Sequence, residues 1–508
     1  MAPQEPGDLF GPADLRQLRK QGITLEEARR QIERLEGPPG HAELDRPCTP
    51  GDGIDTIPES EVEPLTRLHQ EAARDGRCLT FVPASGAASR MFHSLLHYGT
   101  QDCPISRKKL EADAAAGKKE AVEVLAFLEG IPRFAFLDDS RRAAAGQGDE
   151  LEELLRLAMD YARLPKGLLK FHAYPDRSRT PFEEHLVEAA EMLKDARGKC
   201  RLHFTVSPAH LEPFRSLLEQ VRDRYEKVHH VAYEVGFSVQ KPSTDTLALD
   251  MEGQPFRLDD GTLLFRPAGH GALMENLSDL EADIVLIKNI DNVAPDRLKK
   301  ATYTWSKLLV GRLSSIQNQV FDLLRRLEDQ PADTGAAAEA TSLVRDTFHL
   351  ECSERRQSLI RRLHRPVRVC GMVKSTGEPG GGPFWVRGKD GALSMQIVED
   401  SQVDPDSGQQ QGLLARSTHF NPVYLVCGVR DHHGQPYDLK QYIDPDAAMV
   451  TRKATGGRKL SALERPGLWN GAMAGWNTIF IEVPGEVFHP VKTVNDLLRA
   501  EHQPGGED

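Results

Sequence analysis

Several absences narrow what this chain can be. Its seven cysteines (48, 78, 103, 200, 352, 370 and 427) include no Cys-x-x-Cys pair. That spacing suits neither a zinc knuckle nor a disulfide framework, and a reducing cytoplasm is the expected compartment. No stretch reaches the ~20 apolar residues needed to span a bilayer. The opening MAPQEPGDLFGPADLRQLRK has no apolar core of a signal peptide. Positive charge is in short supply, with 64 Lys and Arg against 76 Asp and Glu and a net charge of −12. Nucleic acid and membrane surfaces are therefore not expected as partners, although a few local basic residues can still hold an anionic small molecule. There is no internal repeat. No glycine loop runs into Gly-Lys-Ser/Thr, and neither Gly-x-Ser-x-Gly nor His-Glu-x-x-His occurs, which excludes a Walker loop, a nucleophile elbow and a zincin helix. His229-His230 and His432-His433 are adjacent pairs, expected to diverge on a strand rather than share a metal.

What is present describes a soluble globular chain of 508 residues, 39% hydrophobic and 28% charged. That length holds two or more domains, or one large domain with insertions. Residues 11–36 read as helix, with Thr24-Leu25-Glu26-Glu27 in the form of a capping box and Gly37-Pro38-Pro39-Gly40 as the stop. Residues 37–60 read as a linker, closing an N-terminal segment of 1–60. From 61 to 500 strand and helix patterns alternate, which predicts an α/β domain with a doubly wound mixed sheet. Strong helical character at about 97–163 and 297–364 reads as two helical insertions, the charges of the first as a solvated face. Pro181 to Leu193 reads as an amphipathic, Glu-rich helix. Residues 501–508 are a tail. Arg452, Lys453, Arg458 and Lys459 around Gly456 and Gly457 read as a basic loop that either meets an anion or stays in water.

One stretch, Phe265 to Asp296, organises the rest. Thr262 to Phe265 is a strand candidate, Pro267-Ala268-Gly269-His270-Gly271 is too glycine-rich to extend it, and Ala272 to Leu280 sets Leu273, Leu277 and Leu280 on one helical face. Ile284 to Ile287 is a buried strand, followed by Asn289, Asp291 and Asn292. Ligands of open α/β sheets collect at the carboxyl ends of strands, so Asp291 stands where chemistry would occur. By itself Asp291-Asn292 reads first as a turn after a strand. Two further strand ends carry similar signals. Cys78 to Val82 leads through Pro83 into Ala84-Ser85-Gly86-Ala87-Ala88-Ser89-Arg90 and a helix from Met91, either a phosphate cradle or an ordinary strand–helix turn. The strand at 479–483 precedes Phe488-His489-Pro490-Val491-Lys492, whose lysine is a point charge for phosphate or a plain surface lysine.

The order of these motifs resembles the UDP-sugar pyrophosphorylases, nucleotidyltransferases that join a sugar 1-phosphate to UTP, and the motifs look most like those of the UDP-glucose branch. The family's glycine loop and its following Pro-Lys are similar to Ser85 through Arg90 and to Leu164-Pro165-Lys166. Its Phe-x-Gln resembles Phe237-Ser238-Val239-Gln240. Its Pro-x-Gly-His-Gly and Asn-Ile-Asp-Asn are matched at 267–271 and 289–292. Gln396 through Gln402-Val403, Phe420-Asn421 and Leu463-Glu464 resemble supporting segments. Phe488 through Thr493, with Asp496-Leu497-Leu498, resembles its Phe-x-Pro-Val-Lys-Thr-x-x-Asp-Leu-Leu. The likeness runs collinearly over about residues 78–500. The chain as a whole also resembles a bacterial family of unknown function, a kinship that brings no activity with it.

The resemblance implies a mixed sheet of the GT-A-like nucleotidyltransferase type and a Mg²⁺ cofactor. It also implies UTP or another NTP, a sugar 1-phosphate and pyrophosphate as partners. By position, Asp291 would hold Mg²⁺, and Ser85 and Gly86 would pack on the nucleotide. Gln240 and Gly269 would read the uracil edge, and His270, Asn289 and Asn292 would hold the sugar phosphate. Lys166 and Lys492 would neutralise the phosphates, with Arg90 adding charge and Lys170 able to exchange roles with Lys166. In the loop, Gly-Gly-x-Gly becomes Ser85-Gly86-Ala87-Ala88, and the lost glycines are expected to narrow backbone approach. The chain ends shortly after Leu498, so the family's C-terminal β-helix is expected to be absent. The altered loop leaves a second reading open, a non-catalytic protein that binds a nucleotide sugar and regulates or scaffolds a pathway.

Overall fold

Runs of β-branched and aromatic residues form the strands and Glu/Lys-rich stretches the helices in a computed structural model that describes residues 9–37, 40–99, 106–137, 158–330, 333–377 and 380–505. The chain divides into two compact units. One comprises Met1–His69, Gln240–Leu286 and Leu309–Val483; the other comprises Gln70–Val239, Ile287–Leu308 and Pro484–Asp508.

In the first unit the strands run in the order Thr49–Pro50, Gly53–Asp55, Asn477–Glu482, Val367–Lys374, Tyr424–Gly428. The first three pairings are parallel and the last is antiparallel, so the sheet is mixed. Val367 to Val373 is buried throughout, as a strand covered on both faces must be. In the second unit Cys78–Pro83, Lys199–Thr205 and Ala232–Ser238 are parallel neighbours. Helix Leu211–His229 buries Phe214, Leu218 and Tyr225, and the rings of Phe182, Phe204, Phe214 and Phe237 pack into one cluster. The expected mixed α/β class is the observed one. Cys48, Cys200, Cys352, Cys370 and Cys427 are free thiols, and no helix among the described residues is long and apolar enough to cross a membrane.

Three local expectations change. Residues 37–60 are not only a linker: Leu44–Pro47, Thr49–Pro50 and Gly53–Asp55 are strands, because Leu44, Cys48 and Ile54 are buried and supply side chains to the core. The basic stretch around Gly456-Gly457 is a hairpin, Met449–Thr455 against Arg458–Glu464. Both turn glycines take positive φ, as a two-residue hairpin turn demands. Helix Pro181–Met192 is not half-exposed: every residue but Glu191 is buried, Glu183, Glu184 and Glu188 included, because buried cations stand beside the inner glutamates. Residues 105–163 contain helices Arg107–Ala115 and Lys119–Gly130, whose Leu110, Val124 and Phe127 pack into a core with Phe92 and Phe134. Most of the helix expected from Asp149 onward lies outside the described residues.

Candidate active site

Strand Ile284–Lys288 is buried throughout and ends in the turn that carries Asp291, closed by the Asn292 N–H donating to the Asn289 carbonyl at 3.2 Å. The backbone of 490–492 lies beside this turn: Asn292 bridges Pro490, and Val491 N–H donates to the Asp291 carbonyl at 3.2 Å. Asn292 is itself buried. Its Oδ1 accepts from His489 N–H at 2.9 Å and its Nδ2 donates to the Val487 carbonyl at 3.4 Å, so this amide fastens the Lys492 segment to the Asp291 turn. Beyond it the Asp496 carboxylate caps the Lys492 and Thr493 N–H groups, both at 2.7 Å.

The glycine loop and the Pro-Lys stretch meet as well, although Lys166 lies 76 positions beyond Arg90. Ala87 bridges Pro165, Ala88 N–H donates to the Leu164 carbonyl at 2.9 Å, and Lys166 N–H donates to the Gly86 carbonyl at 3.4 Å. This short ladder aims Lys166 at Asp291. Its Nζ stands 2.8 Å from Asp291 Oδ2 and 2.7 Å from the Val491 carbonyl, while Lys492 Nζ stands 3.4 Å from the same Oδ2. Asp291 is 8% exposed, Lys166 13% and Lys492 42%, so one edge of the cluster opens to solvent. Burial alone would raise the Asp291 carboxyl, but the fields of Lys166 and then Lys492 outweigh it and hold the group below the ordinary carboxylate range.

The loop differs from its expected form in two ways. Ser85, Gly86, Ala87, Ser89 and Arg90 are exposed, and a Cβ on Gly86 would meet nothing within 4 Å. Ala88, by contrast, is fully buried among Phe92, Phe136 and Val491, so its methyl occupies the core and not the solvent side of the loop. The loop also leads into a 3-10 turn, Ala88–Arg90, before the seven-residue helix His93–Gly99, and no helix N-terminus stands at the loop itself.

Gln240, Gly269 and His270 lie in the other unit. Gln240 Nε2 donates to Asp245 Oδ1 at 3.0 Å. Gly269 has φ of 77°, the left-handed region that favours glycine. A Cβ on Gly271 would stand 1.9 Å from the Pro466 carbonyl oxygen, so that backbone approach requires glycine. His270 stacks on Trp469 at 4.1 Å and 14°, and its Nδ1 accepts from Leu468 N–H at 2.9 Å. Nε2 therefore carries the proton of the neutral ring, 3.8 Å from Glu399 Oε1, and burial lowers the imidazole below its ordinary value. Trp469 was missed from sequence; it lies two residues beyond Gly467, over which His270 packs, with no motif of its own.

Fold and site together define a mixed α/β protein whose second unit sets two lysines on one carboxylate beside a small-residue loop. The chain belongs to the family described as Domain of unknown function (DUF4301), whose model matches residues 12–503. Among solved structures it is similar to a UDP-glucose pyrophosphorylase variant from Leishmania major, at 12% identity and a TM-score of 0.49, with 96% of this chain and 77% of that one covered. It is also similar to the UDP-N-acetylglucosamine pyrophosphorylase from Trypanosoma brucei in complex with inhibitor, at 13% identity and a TM-score of 0.48, with 97% and 80% covered. These matches single out no branch. No curated protein sequence matches.

Proposed function

We propose that this chain is a nucleotidyltransferase that joins a sugar 1-phosphate to a nucleoside triphosphate, UTP first among them, and releases pyrophosphate. One observation carries the reading. Lys166 and Lys492 converge on the single carboxylate of Asp291, which leaves one positive charge in excess at an edge open to solvent. A phosphate oxygen completes such a cluster. The collinear motifs support the same reading, and with it a GT-A-like winding carrying helical insertions.

A triphosphate entering the cluster would draw both ammonium groups from Asp291 to its own oxygens. The freed carboxylate, together with phosphate oxygens and water, is a donor set that suits Mg²⁺, and Asp291 would hold the ion. Bound there, Mg²⁺ would supply further neutralisation of phosphate charge. A phosphate oxygen of the sugar 1-phosphate attacks the α-phosphorus in line, the bond to the bridging oxygen of pyrophosphate breaks, and pyrophosphate leaves with that electron pair. No protein nucleophile is required: Lys166 and Lys492 stabilise the charge that shifts to the leaving and attacking groups, and positioning supplies the rest. Ser85 and Gly86 would pack on the nucleotide, with Arg90 beside them. The roles of Gln240 and Gly269 toward uracil, and of His270, Asn289 and Asn292 toward the sugar phosphate, rest on motif position.

Pyrophosphate release from a panel of NTPs and sugar 1-phosphates, run beside Asp291→Ala, tests the reading. Folded protein that turns over no pair would end it. The engagement of Asp291 by Lys166 at 2.8 Å favours a second reading, a non-catalytic binder of nucleotide sugars. A thermal shift with UDP-sugars that survives Asp291→Ala, without turnover, would select it.

A further inference from the structure

A second group of ligating side chains lies in the other unit and takes no part in the proposed reaction. Beyond strand Tyr424–Gly428 the chain turns back on itself, with Arg430 bridging Pro436 and Gly434 N–H donating to the Asp431 carbonyl at 3.0 Å. Asp431 Oδ1 fixes the turn by accepting from His433 N–H at 2.9 Å and Gln435 N–H at 2.8 Å. Gly434 takes φ of 76°. On a strand His432 and His433 would point to opposite faces. On this turn their ring centroids come within 3.9 Å.

The end of the long helix Lys299–Asp329 brings a carboxylate to the same place. Glu328 Oε2 lies 2.8 Å from His432 Nε2 and 3.7 Å from His433 Nε2, and the three ligand atoms all lie within 4.8 Å of one another. His432 is buried, and its Nδ1 makes no hydrogen bond, so Glu328 is the polar partner of the ring. Glu328 is half-buried and His433 exposed, which leaves the group accessible from solvent. Behind it, the His364 ring meets His432 edge-on at 5.8 Å and its Nε2 stands 3.5 Å from Asp431 Oδ2. Also facing His432 are the Phe321 ring at 6.3 Å and Arg325, which donates to the His432 carbonyl at 3.4 Å.

We infer that Glu328 Oε2, His432 Nε2 and His433 Nε2 form a binding site for a first-row divalent cation of the Zn²⁺ class, with water in the remaining position. Two imidazoles and one carboxylate are a zinc-type donor set, whereas the oxygen-rich set preferred by Mg²⁺ or Ca²⁺ is not what these three residues offer. Ligands about 2.0–2.2 Å from a shared tetrahedral ion stand roughly 3.3 Å apart. The observed 2.8 and 3.7 Å separations straddle that value, and rotation of the exposed His433 and of the carboxylate suffices to close on an ion. Such an ion would tie the end of the helix to a turn 104 residues away. Its role is then that of a staple within this unit, independent of Asp291.

The test uses the full-length chain after dialysis against chelator, titrated with Zn²⁺ and, in parallel, with Co²⁺, whose visible absorption reports four-coordinate nitrogen and oxygen ligation. His433→Ala and Glu328→Gln change solvent-reachable side chains and are checked for folding by circular dichroism, while Asp291→Ala serves as the control. One tight equivalent in the unmodified chain is expected, weakened tenfold or more in each variant and unchanged in the control, with a Zn²⁺-dependent rise in Tm that both variants lose. No tight equivalent in the unmodified chain, or variants that bind as tightly as the unmodified chain, would overturn the inference.

Discussion

Two lysine–carboxylate clusters lie three residues apart at the end of strand Ile284–Lys288, and they behave as opposites. The sealed cluster begins with Lys288, whose Nζ donates to Glu188 Oε2 at 2.7 Å. Lys299 Nζ stands 2.9 Å from Glu184 Oε2 and 3.6 Å from Glu188 Oε1, and Arg179 joins Glu184 at 3.4 Å to Asp296 at 2.7 Å. Each of its carboxylates has a cationic partner, and His172 Nδ1 adds a contact to Glu184 at 2.9 Å. The open cluster, Lys166–Asp291–Lys492, has two cations for one carboxylate. A buried charge must be matched inside the protein, because desolvation of an unmatched one is prohibitive. A charge at an open edge can leave the match to a ligand. Pairing is therefore the distinguishing feature: the complete cluster holds the fold, and the incomplete one is where an anion is expected.

The largest predicted effect breaks the sealed side. Lys299→Met leaves Glu184 and Glu188 short of a cation in a buried site and should destabilise the chain by about 3–5 kcal/mol, read from the urea midpoint. On the open side, Asp291→Ala should keep the fold and lower the rate of pyrophosphate release by ~10²–10³. A comparable loss of stability instead would make Asp291 another structural carboxylate. Lys492→Ala, at the exposed end, should raise KM for the triphosphate by about tenfold, with the difference shrinking in high salt as screening weakens the remaining attraction.

The sealed side should also show in the pH dependence of stability. Burial lowers His185 to about 4, and burial with the nearby charge of His172 lowers His502 to about 3. Both stay neutral in the folded chain while the unfolded chain takes up protons from about pH 6.5 downward. The unfolded state thus binds more protons, and stability should fall as pH drops from 6.5 toward 4. Glu184 adds to this at lower pH. Burial opposes its charge, but Lys299, His172 and Arg179 hold it far below the carboxylate range, so its contribution is lost below about pH 4. Tm measured across pH 4–8 checks the sign, and a flat profile would show that these groups do not titrate as their burial demands. The smallest effect concerns the loop: Ala88→Gly should lower stability by about 1 kcal/mol and leave turnover unchanged, because the methyl it removes lies in the core.

Much of the candidate site was legible in sequence because its parts are local. Asp291 follows a short apolar run, Lys492 follows a Pro-Val pair, and Gly86 follows a strand, each recognisable within about ten residues. The misread segments depend on partners far along the chain. The glutamates of Pro181–Met192 look like a solvated face until Lys288, 100 residues on from Glu188, is found beside them. Residues 44–55 look like a linker until Val367–Lys374 and Asn477–Glu482 provide the sheet that Gly53–Asp55 extends. His432 and His433 look divergent only while they are placed on a strand.

What the amino-acid sequence determined by itself was therefore the alternation of strand and helix, the family, and the residue types at the strand ends. Hydrophobic period, turn residues and short motifs are properties of neighbouring residues. Which charges are matched, which methyl faces the core, and whether two histidines share a side were decided by tertiary structure alone. Those outcomes depend on burial and on partners brought within a few ångströms from distant positions, and neither quantity exists before the chain has packed.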